Sequence, residues 1–189
     1  MRRSVIELQT ERLRLRQWRD SDREAFVAMG QDPRVMEFFP ELADRATSEL
    51  LIDHWQSNIL RNGWGFWAAE RLETGEFIGF VGLQVPSKPF PFSPCVEVGW
   101  RLAHAHWGHG FASEAARHSL RFGFEALGLD EIVSFTTLGN ARSQAVMQRI
   151  GMRRDAATFE HPRIAEGHPQ REHCLYRVTR EEWARQHES

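Results

Sequence analysis

The chain has 189 residues, 41% hydrophobic and 26% charged, enough for one domain with a sizeable core. Its 24 Lys and Arg against 26 Asp and Glu give a net charge of -2, which supplies no basic surplus for wholesale nucleic-acid binding. No apolar run approaches the ~20 residues of a membrane span, and the opening "MRRSVIELQTERLRLRQW" lacks a signal-peptide core, so a cytoplasmic protein without a membrane or nucleic-acid partner is expected.

In chain order, "RLRLRQW" alternates Leu13 and Leu15 with Arg12, Arg14 and Arg16, which predicts a half-buried strand with its arginines on a solvated face. "DSDREAFVAMG" carries an Asp cap signal and ends at Gly30, the signature of a helix; "QDPRVMEFF" reads as a turn. Leu51, Ile52, Trp55, Ile59 and Leu60 recur at helical spacing between Thr47 and Arg61, and Gly63 ends that helix. "GFWAAERL" and "EFIGFVGLQV" are strands joined by the "ETGE" turn, and "PSKPFPFSP" is a proline-rich loop before the strand "CVEVGWRL". A helix from Phe111 to Leu127, the strand "EIVSFTTL" and the short helix "NARSQAVMQRIGM" follow. "RRDAATFE" and "EHCLYRVTR" are strand candidates around a polar loop, and "TREEWARQ" is a closing helix with a Thr cap. Without repeats or composition shifts, residues 1–189 read as one mixed α/β (α+β) domain.

The segment "HWGHGFASEAA" carries the chemistry. Gly108, Gly110 and Ala112 let the backbone approach a ligand closely, and the following helix begins with amides that have no intrahelical partner. A strand, a glycine turn and a helix N-terminus together offer a phosphate site, the alternative being a tight strand-to-helix turn whose small residues serve packing. "GHGFAS" also resembles a dinucleotide-binding fingerprint. The preceding strand, however, carries Glu97 and Arg101, and Asp130 and Glu131 fall before the next strand, where they cannot reach a ribose. A nicotinamide site is therefore disfavoured.

"LQTERLRLRQWRDSDREAF", "GFWAAERLETGEFIGFVGL", "VEVGWRLAHAHWGHGFASEA" and "TLGNARSQAVMQRIGM", in that order, resemble the GCN5-related N-acetyltransferase (GNAT) superfamily, and within it the branch of bacterial ribosomal-protein N-terminal acetyltransferases. The resemblance implies a mostly antiparallel twisted sheet with splayed central strands and helices on both faces, with acetyl-CoA as cosubstrate. The family's pyrophosphate motif falls on Trp107-Gly108-His109-Gly110-Phe111-Ala112, continuing to Ser113; Trp107 stands where the superfamily has Gln or Arg. The pantetheine arm would pair with the backbone of Trp100, Arg101 and Leu102, beside a bulge expected at Gly99. Asn140 is expected to cap the short helix and to reach the cofactor, and Ser143 to lie near the sulfur. Many members place a Tyr four residues after that Ser as general acid; here the position holds Met147, so the role falls to Ser143 or water.

Direct amine attack needs no covalent enzyme intermediate, so neither Cys95 nor Cys174 is assigned as nucleophile; both read as buried thiols of a reducing compartment. Glu97, in an otherwise apolar strand, is the leading base, with His104 and His106 as alternatives. These two and His109 form HxHxxH, but amine transfer requires no metal, and none is expected. Trp55, Trp64 and Phe38–Phe39 are candidate walls of the acceptor groove. The expected function is acetyl transfer to a primary amine of a protein N-terminus or small molecule, by a monomer or homodimer; the competing reading is a non-catalytic acyl-CoA-binding sensor.

Overall fold

The computed structural model describes residues 4–188. Eight strands form one sheet in the order β1-β2-β3-β4-β5-β6-β8-β7. Every neighbouring pair is antiparallel except β5 and β6, which run parallel. The strands are β1 (Leu8–Gln9), β2 (Leu13–Arg16), β3 (Phe66–Arg71), β4 (Phe77–Gln84), β5 (Glu97–Leu102), β6 (Glu131–Thr137), β7 (Arg153–Glu160) and β8 (Glu172–Thr179). The two-residue β1 has too little periodic signal to be read from sequence.

Among the described residues five α-helices cover the sheet: α1 (Arg23–Gly30), α2 (Arg45–Asn62), α3 (Phe111–Arg121), α4 (Ala141–Arg149) and α5 (Arg180–His187). Helix α2 starts two residues before the predicted Thr47, because the Asp44 carboxylate accepts from the Thr47 amide and caps the helix. It ends at Gly63, whose φ of 87° is left-handed. The predicted Phe111–Leu127 helix divides: α3 stops at Arg121, and a π-helical turn runs over Phe122–Ala126. Helix α5 begins with a capping box between Thr179 and Glu182.

Alternation along the central strands sorts the core into two layers. Phe66 and Phe80 point toward α1 and α2, where Phe26 and Trp55 pack against them; the Trp55 and Phe80 rings lie 4.5 Å apart. Trp67 points the other way and meets Phe122, 5.6 Å off edge-on. Arg16 departs from the solvated face expected of β2: it is buried, pairing with Asp22 at 2.8 Å and Glu70 at 2.6 Å. Alternation alone could not reveal this, because both carboxylates arrive from other elements.

Among the described residues, no helix is long and apolar enough to cross a membrane.

Candidate active site

Strands β5 and β6 share a single bridge, Glu97 with Val133, and then part. The Val133 amide donates to Val96 O at 3.0 Å, and Ser134 Oγ donates to Val98 O at 2.9 Å. On the other edge, the Ala103 amide donates to Ile78 O of β4 at 2.9 Å. Even-numbered residues of β5 therefore turn their main-chain groups toward β6, and odd-numbered ones toward β4. Past the splay, the N–H and C=O of Trp100 and the N–H of Leu102 face the opening. This corrects two expectations. Gly99 forms no bulge, because β4 and β5 stay in register throughout, with Gly82 opposite Gly99. Arg101 directs its backbone to β4, so Trp100 and Leu102, but not Arg101, offer main-chain groups to a ligand. A side chain at Gly99 would collide with the Phe66 ring, whose nearest atom would lie 2.8 Å from the Cβ.

The splay opens into a cleft of about 1380 Å³. Its walls include Glu97, Trp100, Arg101 and Leu102 of β5, Asn140 and Ser143 at the start of α4, and Trp107, Gly108 and Gly110–Ser113. His109 lies off the cleft lining, as does the alternative base His104; the exposed His109 side chain rests 5.7 Å from the Phe111 ring. The cradle needs its glycines for conformation: Gly108 and Gly110 have φ of 76° and 77°, and a Cβ at Gly108 would meet nothing within 4 Å. Gly110 is the N-cap of α3 and supplies no side-chain cap, so the first-turn amides of Phe111, Ala112 and Ser113 remain available. Trp107 anchors the loop from both sides. Its Nε1 donates to Leu102 O at 2.9 Å, and Arg142 of α4 lies 4.3 Å over its ring.

At the other end of the cleft Glu97 is buried, and Gln84 Nε2 donates to its carboxylate. Burial pushes the Glu97 carboxyl up to about 7, against the opposing pull of Gln84 and Arg163. Ser143 lies across the cleft. The Asn140 carboxamide accepts from the Ser143 amide at 3.2 Å, while Nδ2 donates to Thr136 Oγ1 at 3.0 Å and Ser143 Oγ at 3.2 Å. Asn140 is thus occupied as the helix cap, and its grip on Ser143 Oγ leaves that hydroxyl's proton free to donate elsewhere. Met147 is buried, and Tyr176, the chain's one tyrosine, is buried on Gln144 and Gln148 outside the cleft.

The three histidines of HxHxxH diverge. His104 packs on Trp107, His106 lies 3.4 Å from Glu76, and His109 faces Phe111. Cys95 and Cys174 are free thiols, both pushed up by burial. Of the candidate acceptor-wall aromatics, Phe38 and Phe39 line the cleft, whereas Trp55 belongs to the core.

His161, Arg163 and His173 also line the cleft near Glu97 and escaped the sequence reading. The histidine rings sit 4.9 Å apart among Phe90, Phe135 and Phe159. Burial lowers His161 to about 4, and it lowers His173 too, so both are neutral at pH 7. His161 opens a polar loop and His173 lies in the strand that follows it, and neither carries a spacing that points to a site.

Residues 12–153 match the family described as the acetyltransferase (GNAT) domain. The chain is 35% identical over 146 residues to the uncharacterized protein YkkB of Bacillus subtilis, covering 77% of this chain and 84% of that protein. It is 33% identical over 193 residues to the FsC-acetyl coenzyme A-N(2)-transacetylase of Aspergillus fumigatus, covering 94% of this chain and 78% of that protein. Among solved structures, an acetyltransferase from Agrobacterium tumefaciens superposes with a TM-score of 0.74 at 31% identity, covering 94% of this chain and 96% of that one.

Proposed function

The chain belongs to the GNAT acetyltransferase family, whose fold uses acetyl-CoA as cosubstrate, and on that premise we propose that it acetylates a primary amine by direct attack. One observation carries the reading: the β5–β6 splay joins the uncapped N-terminus of α3 to the buried carboxylate of Glu97 in one cleft.

The amides from Gly108 to Ser113 would hold the diphosphate, with the partial positive charge of the α3 terminus behind them. The exposed main-chain edge at Trp100 and Leu102 would pair with the pantetheine arm. With Gly99 turned toward β4, the Trp100 N–H becomes the donor suited to the thioester oxygen. Such a preorganised donor contributes about 3 kcal/mol where negative charge develops.

In the transfer, the amine nitrogen bonds to the carbonyl carbon, the C–S bond breaks, and Glu97 accepts the proton lost by nitrogen. The sulfur leaves as thiolate and takes its proton from Ser143 or from water. The acceptor is a peptide N-terminus or a small-molecule amine. The Aspergillus relative, named for N(2) transfer from acetyl coenzyme A, supports nitrogen as the acceptor atom.

The test is free-thiol release from acetyl-CoA across an amine panel, alongside melting-temperature shifts with acetyl-CoA and with NAD. Amine-dependent thiol release and a shift with acetyl-CoA alone are expected. A shift with acetyl-CoA but no thiol release from any amine would turn the reading into that of a sensor domain.

A further inference from the structure

Two arginines reach into the aromatic layer beneath α1 and α2, and the fold treats them differently. Arg16 is fully satisfied: Asp22 takes two of its nitrogens and Glu70 a third. Arg101 has no such partner. Its Nε is sealed from solvent without a hydrogen bond, and among the described residues no carboxylate lies within ion-pair distance of its guanidinium. The faces of Phe39 at 4.5 Å, Phe80 at 5.5 Å and Phe26 at 5.8 Å surround it. Aromatic faces fix the position of a cation but accept none of its five N–H donors in the way a carboxylate does. Arg101 is partly buried and lines the cleft, with Nε the nitrogen sealed from solvent, and burial lowers its guanidinium to about 10.

Its position says what the missing partner is. Arg101 stands on the same face of β5 as Glu97, four residues on, about 13 Å along the strand. Between them Gly99 carries no side chain, and the Phe66 ring lies over it on the same face of the sheet. Both Glu97 and Arg101 line the same cleft, with Phe38, Phe39 and Pro40 of the α1–α2 connection opposite. The cofactor's diphosphate has its own donors beyond the end of β5, so the Arg101 fork is not needed for that charge. A molecule lying along this face with its amine near Glu97 would bring its far end to Arg101.

We propose that the Arg101 guanidinium binds the carboxylate of the acceptor, so that the acceptor class is amines carrying a carboxylate several bonds from the nitrogen, such as ω-amino acids or short peptides with a free C-terminus. The proposal rests on the amine-acetylation reading above. A planar fork matches a carboxylate in bidentate fashion, and the Phe39 ring lies 4.5 Å from the guanidinium.

The experiment measures thiol release with matched acceptors: ω-amino acids of increasing length and short peptides, each as free acid and as amide. The acids should exceed their amides in kcat/KM by about 10- to 100-fold, the usual weight of a hydrogen bond to a charged group. Arg101→Met should bring that ratio near one, chiefly by raising KM for the acids. Arg101→Lys, which keeps charge but loses the fork, should retain part of it. Melting curves of both variants establish that they fold. Equal kcat/KM for acids and amides in the wild type overturns the proposal, as does a KM increase for acetyl-CoA instead of the acid acceptor in Arg101→Met, which would assign the guanidinium to the cofactor. Failure of every acid and amide to release thiol overturns the amine-transfer reading together with this one, whereas amide turnover without acid preference overturns this one alone.

Discussion

Gln84 and Glu97 stand directly opposite each other on β4 and β5, and the Gln84 side-chain amide donates to the Glu97 carboxylate inside the cleft. The pair sets a balance. Burial favours the neutral acid, the amide donor favours the carboxylate, and the carboxyl settles at about 7. A base poised there is half ionised at neutral pH, which suits proton removal from an amine.

The pH profile follows from that balance. With Glu97 as base, kcat at saturating acceptor rises with pH through about 7 and then levels. Glu97→Gln should lose 10²- to 10⁴-fold in rate and the acid limb with it. Gln84→Leu removes the donor and should move the limb up by about one unit. Stability carries the opposite sign. The folded carboxyl titrates near 7 and the unfolded one near 4.5, so between these pH values the unfolded chain binds fewer protons. The Glu97 contribution to stability therefore falls as pH rises through that window and is constant above it. Melting temperatures of wild type and Glu97→Gln across pH 4 to 8 check the sign, and a full rate in Glu97→Gln excludes the base.

Gly110 offers a direct test of the cradle. Its φ of 77° strains any L-residue by about 1–2 kcal/mol, and a Cβ there would lie 3.6 Å from Arg12. Gly110→Glu adds a carboxylate beside amides suited to an anion. At a hundredfold excess over Kd, acetyl-CoA should stabilise the wild type by about 2.7 kcal/mol, a rise of roughly 5–10 °C. The variant should show no rise, and a retained shift would move the diphosphate elsewhere.

The elements that could be read from the sequence were those with local signals. The cap at Asn140, the stop at Gly63 and the glycine turn before α3 each depend on residues within a few positions of one another. What could not be read depends on contacts across the fold. Arg16 looks like any basic residue on an alternating strand until Asp22 and Glu70 are brought to it. Gly99 suggests a bulge, but the Phe66 ring packed where its side chain would stand explains the glycine instead. His161 and His173 lie twelve positions apart and meet only because β7 and β8 pair, with Phe159 opposite His173. The open main-chain edge also depends on where β6 parts from β5, which no residue in β5 announces.

The Arg16 cluster should dominate stability among the polar contacts of the N-terminal half. Asp22, buried as deeply as Arg16, accepts from two of its nitrogens, and Glu70 is shared with Arg19 at 3.1 Å. Removing one member leaves an uncompensated buried charge. Asp22→Ala or Arg16→Ala should each cost about 3–5 kcal/mol in chemical denaturation. Arg16→Met with Asp22→Asn and Glu70→Gln together should cost far less than the three single losses summed, because they share one network. Additive losses would show that the three groups act independently.

Ser143 separates a chemical role from a structural one. The cap on α4 uses the Ser143 backbone N–H, which Ser143→Ala retains, so the melting temperature should stay within about 1–2 °C, as for a change outside the core. Asn140 Nδ2 still keeps its bond to Thr136 in that variant. If the hydroxyl protonates the departing thiolate, kcat should fall by 10²-fold or more with the KM for acetyl-CoA unchanged, as expected when an interaction made only in the transition state is lost. The deficit should shrink with an acyl donor whose thiol is more acidic, because a better leaving group needs less help from a proton. A deficit of equal size with both donors would count against the acid role, and an undiminished kcat would leave protonation to water.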